Sequence, residues 1–149
     1  MNIRPYNERD LADVIALFRS NIPKYFVPDE ETGLREFLSE SGDGYYVAEL
    51  DSSVVGAGGF ALNDDGGSKT ISLCWGMIRA DRLGTGLGKR LTEFRIKAAR
   101  ERFGALPIVI STSQHTRGFY ERFGFRMTRH VADHFAPGID LCEMRLDKP

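Results

Sequence analysis

Cysteine is scarce in this chain: 149 residues contain two, Cys74 and Cys142. Each lies in an apolar, strand-like stretch, and neither has a second cysteine or a histidine at metal-ligand spacing. A disulfide framework and a metal site are therefore disfavoured, and two buried, reduced thiols are expected. Excess charge is missing as well. Lys and Arg number 20 against 21 Asp and Glu, a net charge of −1, which argues against a general nucleic-acid binder because such domains are usually strongly basic. No uncharged run approaches membrane-spanning length, and Met1-Asn2-Ile3-Arg4-Pro5 lacks the apolar core of a signal peptide. A soluble, cytoplasmic protein with no membrane partner is the expectation. No spacing repeats and no segment is low in complexity, so residues 1–149 are read as one domain with room for a core.

What the chain does have is concentrated between Ile71 and Leu91. Ile71 to Ile78 is an apolar, β-favouring run of strand length, interrupted by Gly76. A glycine inside a strand marks a bulge or a close approach by another group. Gly84, Gly86 and Gly88 then alternate with Thr85 and Leu87. Leu87, Leu91, Phe94 and Ala98 fall on one face of a helix that runs to about Phe103, while Lys89, Arg90, Arg95, Lys97, Arg100 and Arg102 make its other faces basic. A glycine-rich turn opening a basic helix presents backbone N–H groups and the positive end of the helix dipole to an anion.

Two phosphate-binding patterns fail on spacing. A P-loop would need glycine where Leu83 stands and Ser or Thr where Arg90 stands. A dinucleotide fingerprint starting at Gly84 would need its third glycine at Lys89, and the strand Leu106 to Ile110 ends without a ribose-binding acid.

The remaining elements frame this centre. Ile3 to Tyr6 is a short strand, and Asp10 is placed to cap a helix whose apolar side is Leu11, Val14, Ile15, Leu17 and Phe18. Pro23 and Pro28 bracket Lys24-Tyr25-Phe26-Val27, and Thr32 to Leu38 makes a second helix ended by Ser41-Gly42-Asp43-Gly44. Tyr45 to Leu50 and Val54 to Leu62 form a hairpin around Asp51-Ser52-Ser53, and Asn63 to Gly67 is the next turn. Leu106 to Ile110 should run parallel to the Ile71 strand, since a full helix lies between them. Phe125 to Val131 and Ile139 to Leu146 close the chain as a hairpin joined by a long mixed loop, residues 132–138.

Gly86-Leu87-Gly88, with the segment Phe119-Tyr120-Glu121-Arg122-Phe123-Gly124-Phe125, resembles the two signature motifs of the GNAT acyltransferases. Leu83 stands where that family usually has Arg or Gln, and Ser113 where it has Asn. The resemblance implies a single α+β domain with a mixed, mainly antiparallel sheet of six to seven strands and helices on both faces. It also implies an acetyl-coenzyme A slot where the Ile71 and Leu106 strands part. Cofactor contacts would come from Met77 and Ile78, which pair with pantetheine, from Leu83, Gly84, Thr85, Gly86, Leu87, Gly88 and Lys89, which cradle the pyrophosphate, and from Ser113 and Phe119.

The implied reaction is direct attack by a primary amine of a small molecule or peptide on the thioester, within a ternary complex. Tyr120 would protonate the leaving thiolate, and Tyr25, Phe26, His134 and Phe135, with Asp133, would line the acceptor side. The residue taking the amine's proton stays open among His115, His130, His134, Glu49 and Asp81, because Ser72 occupies the usual site of a central-strand carboxylate. A ping-pong route through Cys74 lacks a visible activating partner. Two other classes of function stay on the table: a non-catalytic acyl-coenzyme A sensor and a nucleotide-binding module. A homodimer is compatible with the sequence.

Overall fold

Two-residue turns build the first half of the sheet. Asn2–Pro5 (β1) pairs antiparallel with Tyr45–Leu50 (β2), which pairs with Ser53–Asp65 (β3). Leu50 faces Ser53, leaving Asp51 and Ser52 at φ 52° and 65°, the doubly left-handed turn whose twist matches paired strands. Gly66 and Gly67 repeat the device between β3 and Ser68–Ile78 (β4). Ile108–Thr112 (β5), Arg126–Ala136 (β6) and Ile139–Leu146 (β7) complete a seven-stranded sheet in the order β1-β2-β3-β4-β5-β7-β6, antiparallel except for β4 against β5. The computed structural model describes residues 1–40 and 44–147, so Ser41, Gly42 and Asp43 of the turn after the second helix lie outside the described residues.

Helices cover both faces. Leu11–Ser20 (α1) and Glu31–Glu40 (α2) bury Val14, Leu17, Phe18 and Leu34 against Tyr45, Val47, Ala57 and Met77. Leu87–Phe103 (α3) and Gln114–Glu121 (α4) bury Ala99 and Tyr120 against Phe60, Ile71, Leu73, Ile108 and Ile110 on the other face. The α+β architecture expected from the sequence is the one observed. No helix among the described residues is long and apolar enough to cross a membrane.

Four local expectations are corrected. Asp10 makes no cap bond to α1. Asn7 instead caps a 3-10 turn at Glu8–Asp10, while the buried Asp10 carboxylate accepts from the Asn7 N–H and from both terminal nitrogens of Arg4, each at 2.8 Å. The buried face of α3 is rotated from the expected one: Leu87, Leu91, Thr92, Arg95 and Ala99 are buried, and Phe94 and Ala98 are half-buried. The expected loop at 132–138 is mostly strand, because β6 runs on to Ala136 with a register shift between Val131 and Ala136 that absorbs the extra residues. Cys142 is buried, but Cys74 is only half-buried.

Two irregularities in β4 place everything that follows. Ala57 pairs with Met77 and Gly59 with Cys74, so three steps on β4 oppose two on β3, and Trp75 in this bulge has φ 45°. On its other edge, β4 pairs with β5 only at Ile71–Ile108 and Ser72–Val109. Beyond Ser72 the two strands diverge.

Candidate active site

The divergence opens a cavity of about 630 Å³. The bulged end of β4 from Ser72 to Ile78 walls it on one side, and β5 with the start of α4 walls it on the other. Leu91, Thr92 and Arg95 of α3 line its floor. Because the strands separate, the backbone of β4 from Leu73 onward has no ladder partner on that edge among the described residues.

At one end lies the glycine turn. Gly84 and Gly86 have φ 77° and 85°, and a Cβ built on either would meet nothing within 4 Å, so the loop is open on its outer side. No side chain caps α3 at Gly86. Its first-turn N–H groups therefore remain available, with the dipole behind them and no acidic residue in that turn. A Cβ on Gly88 would make ordinary contact with Ile78 and Phe119, so this glycine supports close packing of helix, strand and α4. Such an end suits the pyrophosphate of a coenzyme.

Of the residues read as cofactor contacts, Met77, Ile78, Leu83, Gly84, Gly88, Ser113 and Phe119 line the cavity. Four do not. Thr85 and Gly86 form the outer curve of the loop, Leu87 is buried with Val55, Ile78 and Leu91, and Lys89 points outward near Glu93. The Ser113 hydroxyl caps α4, accepting from the His115 N–H at 3.3 Å.

Tyr120 is held edge-on by the rings of Phe119 and Phe125, with centroids 5.0 and 5.7 Å away, and its side chain is 7% exposed. It lines the cavity, and none of the side-chain hydrogen bonds among the described residues involves its hydroxyl. A phenol fixed by its ring is suited to hand a proton to a bound group.

The far end is aromatic. Tyr25, Phe26 and Phe135 line it as read from the sequence, whereas His134 lies outside the lining with its ring against Phe135. Of the base candidates only His115 reaches the cavity, beside the Tyr25 ring. His130 is bonded to Asp140 at 2.8 Å, Glu49 is paired with Arg4, and Asp81 is exposed and paired with Arg79. Burial pushes the Cys74 thiol upward, which disfavours the thiolate a ping-pong route needs. No cluster of three or more potential metal ligands occurs among the described residues.

Four of the cavity residues that the sequence reading did not assign to the site stand out. Asn21, at the end of α1, donates to Leu17 O and Ile78 O, both at 2.9 Å, and ties α1 to the end of β4. Trp75 stacks on Phe26 with centroids 6.0 Å apart; a lone tryptophan beside Gly76 was the available signal. Glu30 accepts the Val27 N–H at 2.9 Å, and its burial among apolar neighbours raises its carboxyl above the ordinary value, an effect the Val27 bond partly offsets. Arg95 is 1% exposed and reaches across the bulge to Gly59 O and Cys74 O at 3.2 and 3.3 Å. Nothing in its sequence neighbourhood separated it from the other basic residues of α3.

Comparison with known proteins agrees with this geometry. Over 70 residues the chain is 36% identical to a blasticidin-S acetyltransferase of Streptomyces morookaense; the match spans 46% of this chain and 49%, about half, of that protein. The ribosomal-protein-alanine N-acetyltransferase of Brucella melitensis superposes over 99% of both chains with TM-score 0.73 and 19% identity. An aminoglycoside 6′-N-acetyltransferase complexed with coenzyme A superposes over 99% of this chain and 97% of its own, with TM-score 0.74 and 16% identity. The family model for the acetyltransferase (GNAT) family matches residues 14–125, which take in the whole glycine turn, the diverging strands and Tyr120. The chain belongs to the GNAT acetyltransferase family.

Proposed function

We propose that this chain transfers an acetyl group from acetyl-coenzyme A to a primary amine of a small molecule or peptide, by direct attack in a ternary complex, with residues 1–149 acting as one domain. The observation that carries this reading is the continuous cavity, lined by an open amide turn, by an aromatic wall and by Tyr120. Its two ends have different chemistry. A bisubstrate reaction needs such an arrangement.

In this reading the pyrophosphate sits against the N–H groups at the start of α3, and pantetheine runs along the unpaired edge of β4 near Met77 and Ile78. The backbone N–H there stabilises the oxyanion formed when the amine adds to the thioester. Tyr120 suits the acid role because a phenol with a free pKa of ~10 is protonated at neutral pH, while a departing thiolate with pKa ~8.5 accepts a proton readily. The family's Arg or Gln contact is absent at Leu83, so phosphate binding falls to the amides.

The test is parallel calorimetric titration with acetyl-coenzyme A, coenzyme A, ATP and NAD, followed by amine-dependent thiol release. Selective binding of both coenzyme A species, with turnover lost in Tyr120→Phe, is expected. Binding without turnover of any amine would leave a sensor, and absence of coenzyme A binding by folded protein would remove the reading.

A further inference from the structure

Glu30 is a carboxylate without a cation. It lies at the end of a 3-10 turn, Pro28–Glu30, that leads into α2, and its Oε2 is held by the Val27 N–H at 2.9 Å. The nearby arginines of α1 and α2 are committed elsewhere: Arg19 and Arg35 both bond Glu31. Among the described residues Glu30 has no ion pair, although it lines the cavity and is half-buried. A carboxylate that gives up part of its hydration without a counter-charge is destabilising in the empty protein. A guest that brings the missing charge removes that penalty.

The surroundings define the guest further. Phe26 and Trp75 stack with an interplanar angle of 28°, and Tyr25 and Phe37 line the same end of the cavity. Aromatic faces attract cations and also pack against flat apolar groups. A carboxylate lining the same cavity as such faces is the complement of a primary ammonium carried on a short arm from a flat, apolar body.

We infer that Glu30 is the acceptor's ammonium anchor and its first proton acceptor, so that the acceptor is a cationic arylalkyl-type amine; this rests on the acetyl-transfer reading above. The R–NH3⁺ group gives one proton to the Glu30 carboxylate, and the freed nitrogen lone pair forms the N–C bond to the thioester carbon. The C–S bond breaks, and the thiolate takes the Tyr120 phenolic proton. The second nitrogen proton passes through water to the phenolate, restoring Tyr120, and Glu30 releases its proton to solvent. One ammonium and one thioester yield one amide, one thiol and one proton.

Glu30→Gln is the informative variant, because the amide oxygen can still accept the Val27 N–H and keep the start of α2. The coenzyme A-bound protein is titrated with phenethylamine and with its uncharged analogue 2-phenylethanol, and thiol release from acetyl-coenzyme A is followed with phenethylamine. Wild type should bind the amine at least tenfold more tightly than the alcohol. In Glu30→Gln that preference should vanish and kcat/KM should fall by 10²-fold or more, with partial recovery in Glu30→Asp and no change in Glu31→Gln. Coenzyme A affinity of Glu30→Gln should match wild type. The inference is overturned if Glu30→Gln binds and acetylates phenethylamine like wild type, or if the coenzyme A-bound wild type fails to bind it. Failure to bind coenzyme A would instead remove the reaction on which the inference stands.

Discussion

The guanidinium of Arg95 lies directly against Gly76: a Cβ added to that glycine would stand 2.5 Å from Nη1. Gly58 on the neighbouring strand is approached less closely, with 2.9 Å to Nε. Across the bulge, Arg95 donates from the adjacent helix to Gly59 O and Cys74 O. The pair therefore shapes the end of β4 where acyl transfer is proposed.

Gly76→Ala should displace the Arg95 side chain and cost about 1.5–3 kcal/mol, the scale of hydrogen bonds to a charged group. Arg95→Met should be destabilising on its own, yet it should shrink the cost of Gly76→Ala, because the clash and the bonds belong to one arrangement. A urea double-mutant cycle measures this. Additive costs would mean that the two residues do not act together.

Tyr120→Phe should leave the fold intact, since the ring contacts with Phe119 and Phe125 remain. Loss of a positioned proton donor lowers kcat by about 10²–10⁴-fold. Steady-state thiol release with coenzyme A titration as control should show a lower kcat and an unchanged coenzyme A affinity.

Leu83 is 44% exposed at the cavity rim, beside an amide turn with no side-chain cation of its own lining the cavity there. Leu83→Arg should tighten coenzyme A binding about 2–5-fold at low salt, the range of an exposed ion pair, and the gain should fade as salt is raised. Titrations at two ionic strengths decide it. A salt-independent gain would mean that packing, rather than charge, is responsible.

Much of this site could be read from the sequence because its chemistry is carried by backbone and motif. Glycines at 84, 86 and 88 announce an amide-lined turn whatever surrounds them, and Phe119 to Phe125 carries a recognisable order of residues. Arg95 and Glu30 were opaque for the opposite reason. Their charge placed them on solvent-facing surfaces by default, and only the tertiary structure shows that a bulge with two glycines accepts one and an aromatic pocket the other. Asp10 was misread similarly: an acid before a helix looks like a cap, but Arg4, paired in β1, captures it.

That capture sets an acid limb for stability. The hydrogen bonds from Arg4, then from the Asn7 N–H, outweigh burial and hold the Asp10 carboxyl below its ordinary value. A depressed carboxyl contributes stability above its unfolded pKa of about 3.9 and loses it as pH falls through the lower folded value. Urea unfolding from pH 7 to pH 2 should show this loss. Asp10→Ala should cost on the order of 3 kcal/mol at pH 7 and flatten the acid limb.

The two paired positions that join β4 to β5 make the sheet a seam between two plates, one carried by β1 to β4 and the other by β5 to β7. A seam this short leaves little backbone stitching to make the plates melt together. In the proposed binding mode, a coenzyme whose pantetheine arm lies along the open edge of β4 would add an eighth, borrowed strand across the gap. Acetyl donor binding would then be written into the protein's mechanical unity, with amides on both sides of the seam exchanging hydrogen in concert only when the slot is filled.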